Sequence, residues 1–335
     1  MAQQQKVSNL RTSSEASHFD PTDPILRQAH PIYHNRFKMP TPSIDKMAKQ
    51  VALWLRKGVT GGIITGESNF GKTRGIEYIQ KIRRDIFGPQ VAVIHVRIIK
   101  LPERRHIFWQ YMASVFGYSV MKIRQVELNE LAKAVKGILA ACERDSANRV
   151  VIFLDDAQFM NSDHYHDLKP IYDTLVSEYE KKVLVVSVGE ERLRDIRTDM
   201  QKDGMTVINR FLRQESAFDG IRGDEQLRSI LDAYDSVLMF PVGSDTSYTE
   251  SLLPIAYGNS FRLGRLATRI GGLYREMVSN SAMGDSYTMT MKTCTAFAQS
   301  LFDELAGLDN KGLEVSDEQI REALRDAIGL WSKED

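Results

Sequence analysis

An α/β fold, with a parallel sheet between helices followed by an all-helical unit, is predicted by three observations. Apolar strand-like runs alternate with amphipathic stretches between about residues 62 and 188. Two of these runs, Val150-Val151-Ile152-Phe153-Leu154 and Val183-Leu184-Val185-Val186, are apolar throughout, as central strands covered on both faces are. Beyond about Gly223 such runs stop and only helical periodicity continues. Strand and helix in alternation imply parallel strands joined by covering crossovers.

Each element follows in order. Residues 1–44 are polar, with Pro21, Pro24, Pro31, Pro40 and Pro42 spread through them, and read as an extended arm. Within it, Ile32 to Lys38 interleaves aromatic and basic side chains. Such a mixture suits stacking on a base or docking on a neighbouring subunit, although packing on its own domain explains it more simply. Ser43 and Asp45 are helix-start signals, and Met47, Val51, Leu53 and Leu55 supply an apolar helix face. A strand over 62–65, a glycine loop, a helix to about Phe87 and a strand over 91–98 come next. Helices near 103–116 and 128–143, a strand over 150–154, a helix near 163–180 and a strand over 183–188 complete this domain, bounded at 45–222. In the helical domain, 223–335, periodicity marks 224–238 and 259–277, with Leu263, Leu266, Ile270, Leu273 and Met277 on one face. Further helices run through 293–305 and, capped by Ser316, to Ile328.

At 335 residues the chain is long enough for about two domains with ordinary cores. Its 44 basic and 44 acidic residues cancel, which excludes a surface acting as a whole as electrostatic glue for nucleic acid and leaves only local contacts. No apolar window reaches the length of a membrane span, and the polar N-terminus lacks a signal core, so a cytoplasmic location is expected. Cys142 and Cys294 are too few and too far apart for a disulfide framework or a zinc site and read as buried, reduced thiols.

The chemistry concentrates in two motifs. Gly66-Glu67-Ser68-Asn69-Phe70-Gly71-Lys72-Thr73, after the apolar run Gly62-Ile63-Ile64-Thr65, matches G-x-x-x-x-G-K-S/T at every defined position. Glycines let the backbone wrap an anion, so that N–H groups and the positive end of the following helix face phosphates. Lys72 then reaches the β- and γ-phosphates and the Thr73 hydroxyl ligates Mg²⁺, with ATP as the expected ligand. Asp155 and Asp156 end a buried strand about eighty residues further on. At a strand's C-terminal edge beside a triphosphate, the first carboxylate can serve the metal and the second can orient or deprotonate the attacking water. Alone, the pair would be an ordinary acidic turn.

Three further places along the chain, six residues in all, carry open alternatives. Ser187, at the end of the last apolar strand, is either a reporter on the γ-phosphate or a small residue at a strand end. Arg210 and Arg213 lie past that strand, where a guanidinium can reach a neighbouring subunit's γ-phosphate or simply remain a surface charge. Arg262, Arg265 and Arg269 form a stripe opposite the leucine ridge. Such a stripe is by default a solvated face, with Arg262 reaching the nucleotide as the alternative.

With these residues in place, the chain resembles the AAA+ ATPases and, among them, the TnsC/TniB transposition regulators related to the phage MuB protein. The resemblance covers roughly residues 45–275 and rests on G-E-S-N-F-G-K-T (66–73), V-V-I-F-L-D-D-A-Q (150–158), V-V-S-V-G-E-E-R-L (185–193), N-R-F (209–211) and G-N-S-F-R-L-G-R-L (258–266). It implies an AAA+ P-loop NTPase domain with a C-terminal helical lid. It further implies Arg210 as arginine finger, Ser187 as first sensor and Arg262 as second sensor. Asp156 departs from the family's usual glutamate, which implies slow hydrolysis, and Glu190 follows Gly189 where glutamine is more familiar. The implied protein is an ATP-dependent regulator that assembles as a ring or helical filament, a hexamer or heptamer, on double-stranded DNA. It couples a target-selection complex to a transposase, as in CRISPR-associated transposons.

Lys100, Arg104, Arg105, Lys122 and Arg124 are the expected DNA contacts, because in the family the elements after the strand over 91–98 line the DNA channel. Cations on phosphate give affinity without sequence preference; each is otherwise a solvated surface residue. Phe108, Trp109 and Tyr111 between them read as core. The competing readings are an AAA+ helicase loader or replication initiator, and a nucleotide-gated adaptor that polymerises with little hydrolysis. A guanine switch is disfavoured because Asn310-Lys311-Gly312-Leu313 lacks the base-reading aspartate.

Overall fold

The computed structural model describes residues 27–34, 37–102, 107–118, 127–201, 205–278 and 287–329. They form two compact units, one over Ser43–Asp219 and one joining the residues up to Pro42 with those from Gly220 onward.

In the first unit five parallel strands, β1 (Gly61–Thr65), β2 (Val91–Arg97), β3 (Arg149–Asp155), β4 (Lys182–Gly189) and β5 (Gln214–Ala217), lie in the order β2-β3-β4-β1-β5. The alternation of side chains along a strand divides two cores between the faces. Ile63, Ile94, Ile152, Leu154 and Val185 pack on one face with Phe108, Trp109, Leu168 and Phe211. Ile64, Val93, Val151, Phe153, Val186 and Val188 pack on the other with Val51, Trp54, Ile76 and Ile79. Both faces are thus covered, as the apolar runs in β3 and β4 require.

Several elements differ from the sequence reading. β5 has the polar sequence Gln-Glu-Ser-Ala with alternating half-buried and exposed residues, because an edge strand paired only with β1 needs no apolar run. The helix before β1, Pro42–Arg56, buries Ile44, Met47, Ala48, Val51 and Trp54; Leu53 and Leu55 are only partly covered. The helix after the glycine loop breaks at Ile82 into Lys72–Lys81 and Arg83–Phe87. The helix near 103–116 is Ile107–Val115, and residues 103–106 lie outside those described. Its Phe108 and Trp109 are core, while Tyr111 donates its hydroxyl to the Arg97 carbonyl.

The second unit is mainly helical: Gly223–Ser236, Tyr248–Leu252, Pro254–Gly258, Ala267–Val278, Met291–Leu305 and Asp317–Gly329. A short antiparallel ribbon of β6 (Ile221–Arg222) and β7 (Thr288–Met289) was not legible, since two-residue strands carry no periodicity. The expected long helix over 259–277 is a 3-10 turn, Leu263–Leu266, leading into Ala267–Val278. Within the described part of the arm, Pro31–His34 forms a 3-10 turn, and Ile32, Met39, Tyr33 and Phe37 pack into this unit's core. Cys142 and Cys294 are buried free thiols. No described helix is long and apolar enough to cross a membrane.

Candidate nucleotide site

The glycine loop leaves β1 at the C-terminal edge of the sheet and enters the helix Lys72–Lys81. Its curvature needs left-handed backbone at Asn69 (φ 63°) and Gly71 (φ 97°), conformations open to asparagine and glycine. Gly66 is required for a different reason: a Cβ there would come 2.2 Å from the Phe218 carbonyl oxygen. Phe218, just past β5, donates its N–H to the Thr65 carbonyl and clamps the loop's base. Glu67, Ser68 and Asn69 are exposed, whereas the Phe70 side chain is buried in the core. Phe70 can therefore offer only its backbone to a ligand.

Lys72 is 8% exposed, and its Nζ donates to the carbonyls of Gly66 at 2.8 Å and Glu67 at 2.7 Å. Burial pushes its pKa down, against the opposing field of Glu190, Asp155, Asp156 and Glu191. The ammonium therefore lies inside the loop and within electrostatic reach of the acidic residues that end β3 and follow β4. Thr73 opens the helix beside it.

Strand register brings the acidic pair to the same edge. Asp155 aligns with Val188 of β4, which aligns with Ile64 of β1. Asp155 is 1% exposed; one oxygen accepts the Asp156 N–H at 3.1 Å and the other faces His95 Nε2 at 3.1 Å. Asp156 sits in the left-handed region at φ 58°. Its carboxylate accepts from Gln158 Nε2 at 3.3 Å and from Arg97 Nε at 3.2 Å. Ser187, fully buried between β1 and β3, accepts from the Tyr165 hydroxyl at 3.1 Å. The Thr65 hydroxyl at the loop's base has no hydrogen-bond partner among the described residues.

The donor set fits Mg²⁺. No group of three or more His, Cys, Asp or Glu among the described residues could hold a metal, so they supply no closed cage. A hydroxyl and a carboxylate at one edge suit an ion that keeps several waters and binds largely through substrate phosphates.

Arg210, Arg262 and Arg269, singled out in the sequence, are each engaged within their own unit. Arg210 ends the helix Met205–Phe211, stacks over the Tyr172 ring at 5.0 Å and pairs with Asp173. Its carbonyl accepts from the Thr60 hydroxyl at 2.6 Å, and a Cβ on Gly61 would meet the same backbone at 2.8 Å. Arg210 therefore packs at the start of β1, opposite the end that carries the glycine loop. Arg262, in the helical unit, stacks over Tyr257 at 3.6 Å and donates to the carbonyls of Tyr257 and Phe261. With Arg265, Arg269 and Lys311 it lines a cavity of about 650 Å³, and Arg269 pairs with Asp317. The arginine stripe is thus partly engaged with backbone and carboxylate.

Of the expected DNA contacts, Lys100 is exposed just past β2 and borders a cavity of about 370 Å³ together with Gln158, Phe159 and Arg192. Arg104, Arg105, Lys122 and Arg124 lie outside the described residues. Sequence reasoning missed His95, Arg97, Gln158 and Phe218. The signal for His95 was a polar residue inside the otherwise apolar run of β2.

A parallel sheet in this order, with the glycine loop on β1, the acidic pair on β3 and a helical unit after β5, defines the AAA+ P-loop NTPase fold. It is similar to the ORC2 protein of Aeropyrum pernix in its ADPNP–ADP complexes, with a TM-score of 0.54 and 12% identity over 89% of this chain and 71% of that one. Cdc6p of Pyrobaculum aerophilum aligns at 12% identity over 90% of this chain and 84% of its own, with a TM-score of 0.43. Domain III of the replication initiation protein DnaA of Thermotoga maritima does so at 14%, over 89% and 97%, with a TM-score of 0.41. No protein-family model and no curated protein matches the chain.

Proposed function

We propose that this protein is an ATPase that assembles on duplex DNA in its ATP-bound form and regulates DNA transposition, coupling target selection to a transposase. The observation that carries the nucleotide reading is Lys72, buried in a left-handed glycine loop at the same sheet edge as Asp155 and Asp156. The transposition reading is supported by the motif pattern over residues 150–158, 185–193 and 258–266.

In this reading the loop N–H groups and Lys72 hold the phosphates, and Thr73 and Asp155 hold Mg²⁺. The ion, when bound, neutralises charge on the phosphate oxygens. Asp156 orients the water whose oxygen attacks the terminal phosphorus as the bond to the ADP oxygen breaks; the water's proton passes to Asp156 or to the departing phosphate. Ser187, held by the Tyr165 hydroxyl, directly precedes the Val188 that aligns with Asp155. Arg210 completes the site of a neighbouring copy: β1 separates its backbone from its own loop by five residues, about 16 Å at strand rise.

Fluorescence anisotropy on two unrelated duplexes, with and without ATP and across a salt series, tests the function. Binding is expected to require ATP, ignore sequence and weaken steeply with salt, because a chain of zero net charge holds DNA only where an assembly aligns many copies of a local basic patch. Lys72→Ala should abolish ATP binding and with it DNA binding. Tight binding without nucleotide, or strong preference for one duplex, would replace this reading with that of a replication initiator.

A further inference from the structure

Gln158 lies just past the carboxylate pair, in the 3-10 turn Ala157–Phe159, and is 9% exposed. Its amide is engaged at both ends. Oε1 accepts the Glu190 N–H at 3.2 Å, and Nε2 donates to Asp156 Oδ1 at 3.3 Å. The orientation of the amide is fixed by chemistry: a backbone N–H can meet only the carbonyl end, so the NH₂ end faces the carboxylate.

Two neighbouring features point to the same contact. A Cβ on Gly189 would come 2.5 Å from Gln158 Oε1 and 3.1 Å from its backbone nitrogen. The end of β4 can therefore approach this turn only because residue 189 has no side chain. The second Asp156 oxygen faces Arg97, whose side chain is 73% exposed, so solvent screens that pair. Among the described residues Gln158 is thus the buried anchor of the Asp156 carboxylate, and it ties that carboxylate to the loop leaving β4.

We propose that Gln158 is a positioning residue for hydrolysis, holding the Asp156 carboxylate in the orientation in which it directs the attacking water. The inference rests on the role given to Asp156 above. It assigns Gln158 no contact with nucleotide, so its loss should lower kcat and leave ATP affinity alone.

The test uses the full chain with duplex DNA, steady-state ATP turnover, fluorescent-ATP titration and thermal melting. Gln158→Glu keeps the shape and the acceptor for Glu190 but sets a second carboxylate against Asp156; Gln158→Met keeps the length and removes both bonds. Each should turn over at least about tenfold more slowly, with ATP Kd within about twofold of wild type. Gly189→Ala drives a methyl group into the amide and should give the same loss. Combined with Gln158→Met it should be no slower than the slower single variant, since both act on one contact. Should Gly189→Ala fail to fold, the two Gln158 variants decide alone. Wild-type kcat in both, or a rise in Kd that parallels the fall in kcat, overturns the proposal. A wild-type chain that binds ATP without any turnover overturns the hydrolytic reading itself, and is told apart because the loss then precedes any substitution.

Discussion

At the scale of single residues, Asp156 joins chemistry to backbone. Left-handed backbone is several-fold more accessible to aspartate and asparagine than to longer side chains, so the short carboxylate is matched to φ 58°. Asp156→Asn should keep the fold, ATP binding and assembly while suppressing phosphate release, since the proposed mechanism gives the metal to Asp155. Asp156→Glu should lower stability by up to ~1 kcal/mol, read by thermal melting beside turnover. The sequence announced both carboxylates but not this conformation, because no local pattern encodes a left-handed turn at an aspartate. His30 offers a second test. Buried against Ser251, Tyr248 and Phe240, its imidazole is pushed down to about 3. An unfolded chain would protonate it near 6.5, so the contribution of neutral His30 is complete above that pH and lost as pH falls from about 6.5 toward 3. Denaturant unfolding followed from pH 7.5 to 4.5 should show falling stability, and His30→Phe should flatten the slope.

At the scale of elements, legibility followed burial. β3 and β4 were plain because both faces are covered; β5 and the β6–β7 ribbon were not, being short, polar or at an edge. The helix Met205–Phe211 has a clearer message in three dimensions than in sequence. Its last turn packs on Thr60 and Gly61, at the start of β1 and so at the end opposite its glycine loop; the proposed intersubunit role of Arg210 builds on that placement. Arg210→Ala should bind ATP normally yet neither assemble nor hydrolyse. Mixed with Lys72→Ala protein, it should partly recover turnover, because one copy then offers an intact pocket and the other an intact arginine. No recovery, with activity already lost in dilute monomer, would point to an arginine acting within one chain.

At the scale of the whole molecule, the membership of the N-terminal segment was not legible in the sequence. Ile32 and Phe37 join a core whose other members lie beyond residue 220, and no local signal announces so distant a partner. The strand order has a consequence in time as well as in space. The glycine loop is held by β1, and β1 is flanked by β4 and β5, so residues 61–65 find their hydrogen-bonding neighbours only at 185–189 and 214–217. During synthesis the complete motif is made more than a hundred residues before the strands that flank β1. A chain stopped at Lys181 would carry every residue of the phosphate loop and both acidic residues, yet should bind no nucleotide. One stopped at Asp219, with the whole sheet and Phe218 in place, should begin to bind it. Fluorescent-ATP titration of released chains of graded length would locate that onset, and binding by the shorter chain would show that the loop shapes itself without its sheet.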